Sequence, residues 1–123
     1  MSALEKIVQW PADNVAGALI TPAGIETVGD TAREYDIKSV TKPVVAMGIM
    51  LAVEEGAVEL DQPAGPEGST LRHLLSHASG VDFDSRDATR PVENRRIYSS
   101  AGYEWAKPLW QETNEAIWAE IQS

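Results

Sequence analysis

Ser39-Val40-Thr41-Lys42 leads directly into an uncharged run from Val44 to Val53, and that junction decides how the chain is read. A helix beginning near Ser39 stacks the serine hydroxyl and the Lys42 ammonium on one face, because residues three apart are neighbours on a helix surface. Ser39 then sits among unpaired backbone N–H groups at the positive end of the macrodipole, which favours an attacking alkoxide or a bound oxyanion. A neutral lysine amine takes the hydroxyl proton where desolvation or a nearby cation lowers its pKa. Alone, the spacing decides little, since Ser-x-x-Lys arises by chance on the order of once in a chain or two of this size. The competing reading makes Ser39 a helix cap and Lys42 a solvated first-turn residue.

Working outward, Pro43 fits the first turn of a helix, and the uncharged run behind it predicts a helix enclosed on all sides at the centre of a domain. Glu54-Glu55-Gly56 supplies its glycine stop. Upstream, residues 3–10 read as one or two amphipathic helical turns ended by Pro11. Val15 to Thr21 and Ile25 to Gly29 read as antiparallel strands joined at Pro22-Ala23-Gly24, and Asp36 stands available as a helix cap before Ser39. Downstream, Ser69 or Thr70 is expected to cap a short helix over Leu71 to His77, with Leu71, Leu74 and Leu75 as its apolar stripe and Ser79-Gly80 as its end. Val81 to Arg96 is a long polar loop. Glu104 to Ile121 is helical in pattern, with a break or kink expected at Pro108.

The 123 residues suit one domain, 43% hydrophobic and 24% charged, with no sign of disorder in the composition. A net charge of −9 repels phosphate backbones and anionic membrane surfaces, so nucleic acid and membrane are not expected partners. No cysteine is present, which removes disulfides, thiolate chemistry and cysteine metal sites. Met1 to Pro11 has neither a basic nor a continuous apolar leader pattern, and a cytoplasmic location is expected.

Four stretches, taken in order, resemble the serine β-lactamase and penicillin-binding-protein superfamily, in the branch of class C β-lactamases, D-Ala-D-Ala carboxypeptidases and related esterases. They are the hairpin Val15 to Gly29; Ile37-Lys38-Ser39-Val40-Thr41-Lys42-Pro43; Thr70-Leu71-Arg72-His73-Leu74-Leu75-Ser76-His77-Ala78-Ser79-Gly80; and Tyr98-Ser99-Ser100-Ala101-Gly102-Tyr103. The likeness covers roughly residues 13 to 107, and several motifs in order are far more specific than one. It implies an α+β, β-lactamase/transpeptidase-like fold and serine hydrolysis of an ester, amide or β-lactam through an acyl-enzyme, with no cofactor. Ser39 becomes the nucleophile, Lys42 its base or proton shuttle, and Tyr98 the partner that relays a proton. The backbone N–H of Ser39 becomes half of an oxyanion hole. Lys42 and Tyr98 are expected to titrate as a coupled pair. Arg95 and Arg96 are expected to be solvated loop charges.

Two departures stand out. Ser100 replaces the usual Asn of Tyr-x-Asn, leaving a hydroxyl as the substrate-binding group and putting the contact with Lys42 in question. No Lys-Thr-Gly or His-Thr-Gly follows, so the chain is expected to be the N-terminal portion of such a domain. Trp105, Trp110 and Trp118, with Leu109, Asn114, Ile117 and Ile121, form an aromatic face that needs a cover, either a second copy or a complementary C-terminal segment. The alternative function is therefore an inert assembly module working through this helix.

His73 and His77 lie four apart, but the Glu of the zinc-protease motif and a third ligand are missing, so packing or hydrogen bonding is expected of them instead of metal. Asp82, Asp84 and Asp87 lack the glycine and terminal glutamate of a calcium loop and read as a solvated acidic segment.

Overall fold

The computed structural model describes residues 2–121, the side chains of residues 110, 112–114 and 116–121 excepted. The expected face of Trp110, Asn114, Ile117, Trp118 and Ile121 therefore lies outside the described residues. The chain forms two compact units, one ending at Ile37 and the other beginning at Lys38.

The first unit is a short 3-10 helix, Glu5–Gln9, and an antiparallel hairpin of β1 (Ala16–Thr21) and β2 (Gly24–Gly29). Its register runs from Ala16 opposite Gly29 to Thr21 opposite Gly24, leaving Pro22 and Ala23 as the turn. Thr21 holds that turn, its Oγ1 accepting the Ala23 N–H at 3.2 Å. Leu4 and Ile7 of the helical turn lie over Gly17 on one face of the sheet, where a larger residue would collide with them. Ile20 and Ile25, paired across the strands on the opposite face, are exposed.

The second unit is helical. A 3-10 turn, Lys38–Val40, runs into α1 (Thr41–Glu54), followed by α2 (Leu71–Leu75) and α3 (Ser100–Ile121). Pro43 is the third residue of α1, where a backbone N–H has no intrahelical partner to lose. The N-cap of α1 falls on Val40, not on Asp36. The core gathers Val45, Ile49 and Ala52 of α1, Leu71 and Leu74 of α2, Ala106 of α3, and Val58 from the connection after α1, flanked by Tyr103, Trp105 and Leu109.

Three expectations are corrected. First, α1 is not enclosed on all sides: Val44, Met47 and Leu51 are 54%, 68% and 56% exposed. Absence of charge marks a helix as able to be buried, but α2 and α3 cover only the Val45–Ile49–Ala52 stripe. Second, α2 ends at Leu75 and not at His77, because His77 turns into the left-handed region at φ +62°. Third, α3 begins at Ser100, four residues before Glu104, and Pro108 lies inside it without breaking it. Ser99 supplies the missing start signal, its Oγ accepting the Gly102 N–H at 2.9 Å as an N-cap does.

Candidate active site

The nucleophile candidate sits at a sharp entry to a helix. Lys38 adopts φ +45°, an uncommon conformation for a residue with a side chain, and the chain then winds through one 3-10 turn into α1. That turn leaves Ser39 and Lys42 facing each other, with Lys42 Nζ donating to Ser39 Oγ at 3.2 Å. The same ammonium donates to Ser100 Oγ at 3.2 Å, joining the start of α1 to the start of α3. Ser100 thus keeps the lysine contact that the loss of the usual Asn had put in question.

Tyr98 completes the cluster. Lys42 Nζ stands 4.7 Å from its ring centroid, a cation–π distance. Hydrogen bonding by Ser39 and then by Lys42, with the Lys42 charge adding to it, holds the Tyr98 phenol below its ordinary value. Arg95 and Arg96 are exposed. The four residues singled out from sequence are therefore brought together around one ammonium. Ser39, Lys42 and Ser100 border a cleft of about 360 Å³, lined with Lys38, Thr41 and Val45 on one side and Tyr103, Glu104 and Lys107 on the other. Ser100, Tyr103, Glu104 and Lys107 follow the three- and four-residue spacing of a single helix face.

The loop bearing Tyr98 is held from three directions. Ile97 N–H donates to the His77 carbonyl at 2.9 Å, and Ser99 N–H donates to His77 Nδ1 at 3.0 Å. Ser99 Oγ donates to the Asp82 carbonyl at 2.6 Å. Ser100 N–H and Ala101 N–H both donate to the Phe83 carbonyl, at 2.8 and 3.2 Å. The His77 ring lies against Tyr98 and Tyr103, with centroids 4.8 and 5.3 Å away. Burial, with the charges of Arg96 and Lys42 adding to it, lowers the His77 pKa. Burial raises that of Tyr103, whose hydroxyl donates to the Leu75 carbonyl at 3.1 Å.

His73 and His77 do separate jobs. His73 Nδ1 accepts the Thr70 N–H at 3.1 Å, which leaves Nε2 to donate to Glu93 Oε1 at 3.2 Å and ties the start of α2 to the long loop. The acidic loop is occupied with itself: Asp82 Oδ1 accepts the Phe83 N–H, and Asp87 Oδ2 accepts from Ser85. Among the described residues no three metal-ligating side chains cluster, and no helix is long and apolar enough to cross a membrane. Sequence reasoning did not assign Ser99 or the His77–Ser99 bond; the available signal was a serine three residues before Gly102 at the head of a helical pattern.

The β-lactamase family model matches residues 30–114, more than half of the chain. Among solved structures, a crystal structure of a beta-lactamase from Mycobacterium bovis is 47% identical with a TM-score of 0.80, the match covering 93% of this chain and 42% of that one. This chain therefore spans less than half the length of that protein. Comparison with curated proteins finds no match. The β-lactamase match runs through Ser39, Lys42, Tyr98 and Ser100. The chain belongs to the β-lactamase family, within the serine β-lactamase and penicillin-binding-protein superfamily.

Proposed function

We propose that the chain carries the acylation machinery of a serine hydrolase that opens an ester, amide or β-lactam through an acyl-enzyme. The observation that supports this best is the Lys42 ammonium, 3.2 Å from both the Ser39 and the Ser100 hydroxyl oxygens and over the ring of Tyr98. Ser39 Oγ attacks the substrate carbonyl carbon while its proton passes to the Tyr98–Lys42 pair. The depressed Tyr98 phenol favours the phenolate that can accept it. The tetrahedral oxyanion is met by the backbone N–H of Ser39. On collapse, the carbonyl–leaving-group bond breaks, the proton returns to the departing alcohol or amine, and water later releases the acyl group from Ser39. Ser100 orients substrate and Lys42 together.

The test is intact-protein mass after incubation with a fluorophosphonate or a penicillin. A single adduct on the native chain that disappears in Ser39→Ala is the expected result. An unmodified native chain, or an equal adduct on Ser39→Ala, overturns the reading.

A further inference from the structure

Outside the Ser39, Lys42, Tyr98 and Ser100 cluster, His77 is a buried titratable side chain that the chemistry above leaves unused. Its backbone is left-handed, a conformation that is costly for a residue with a side chain and persists where its surroundings over-determine it. The surroundings here are the site itself. The His77 carbonyl accepts the Ile97 N–H and its Nδ1 accepts the Ser99 N–H, so the two bonds bracket Tyr98 on either side. Its ring fills the space between Tyr98 and Tyr103. Ser100, the residue that Lys42 bonds across the cleft, follows directly after the clamped Ser99.

We propose that His77 is the positioning residue of this site, its imidazole clamping the Tyr98-Ser99-Ser100 segment within reach of Lys42. Nδ1 has one lone pair, which the Ser99 N–H uses, so the clamp requires the neutral ring with its proton on Nε2. The kinetic arm of this inference rests on the acyl-transfer reading; its geometric arm does not.

Two substitutions separate the clamp from mere filling of space. His77→Asn keeps an acceptor atom near the position of Nδ1 and tolerates the left-handed backbone. His77→Phe keeps a ring against Tyr98 but leaves the buried Ser99 N–H unpaired. Acylation of Ser39 by a fluorophosphonate is expected to slow about 10- to 100-fold in His77→Phe, the range for a small misplacement of reacting groups, and to recover most of that loss in His77→Asn. Absorbance titration of the Tyr98 phenol, assigned by difference from Tyr98→Phe, is expected to move toward the ordinary tyrosine value in His77→Phe and to stay depressed in His77→Asn. Equal behaviour of the two variants, or a native-like His77→Phe, overturns the proposal.

If the native chain is not acylated at all, the acyl-transfer reading fails while the phenol titration still decides the clamp. If His77→Phe does not fold, the unmodified chain carries the test by NMR. The Ser99 amide and the Tyr98 ring resonances are expected to shift with the same midpoint as His77 protonation, and their failure to do so overturns the clamp.

Discussion

The two halves of the site are built in different ways. Lys38 to Lys42 is local: one left-handed residue, one 3-10 turn and a three-residue spacing bring Ser39 and Lys42 to 3.2 Å. Ile97 to Ser100 is set from a distance, by hydrogen bonds to His77, Asp82 and Phe83, all at least fourteen residues earlier in the chain. The nucleophile therefore depends on how one helix begins, and its phenol partner depends on how the connection between α2 and α3 folds back on itself. Damage to the first half should strike chemistry with the fold intact. Damage to the second should strike both.

The largest expected effect comes from the local half. Lys42→Met removes the ammonium that joins Ser39, Tyr98 and Ser100, and should slow acylation by about 10²- to 10⁴-fold, the usual worth of a positioned proton-transfer group. Its melting curve should stay close to the native one, because Lys42 lines the cleft and lies outside the apolar core. A loss smaller than tenfold, read by time-resolved mass measurement, would show that the local half does not drive the step.

Ser99→Ala breaks the distant half. It removes the cap on α3 and the bond to the Asp82 carbonyl, and should cost about 1–2 kcal/mol in chemical denaturation. Acylation should slow in the same variant, since Ser100 and Tyr98 lose their anchor. Lower stability with an unchanged rate would mean that the cap serves the helix alone.

The smallest expected effect is a pH dependence. Folding lowers the His77 pKa from 6.5, so the unfolded chain binds the proton more readily. Stability from neutral His77 is therefore complete above pH 6.5 and is lost as pH falls from there through the lower folded-state value. The groups facing this ring are Lys42 from α1, Arg96 and Tyr98 from the loop, and Tyr103 from α3. Both cations oppose its charging. The slope of stability between pH 5 and 7 should flatten in His77→Asn; an unchanged slope would assign it to other groups.

Much of the secondary structure was legible because its signals are local. Pro22-Ala23 forms the hairpin turn before Gly24, Gly56 at φ +73° stops α1, and Thr70 starts α2, each from residue chemistry that acts within a few positions. The errors share another cause. Val44 to Val53 carries no charge, which says that its faces tolerate burial and not that partners exist for all of them. Met47 faces solvent while Ile49 is wholly buried, and only the placement of α2 and α3 distinguishes the two. Pro108 marks a lost hydrogen bond, yet the helix continues on either side of it.

The amino-acid order by itself determined the pairing of Ser39 with Lys42, the presence of the hairpin and the family likeness, because each rests on spacing along a few adjacent residues. The tertiary structure decided that Ser100 reaches Lys42 across the cleft, that His77 receives Ser99, and which stripe of α1 is buried. Those contacts join residues 22 to 58 positions apart. No local periodicity encodes them; they exist only once loop closure has brought α1, α2 and α3 together.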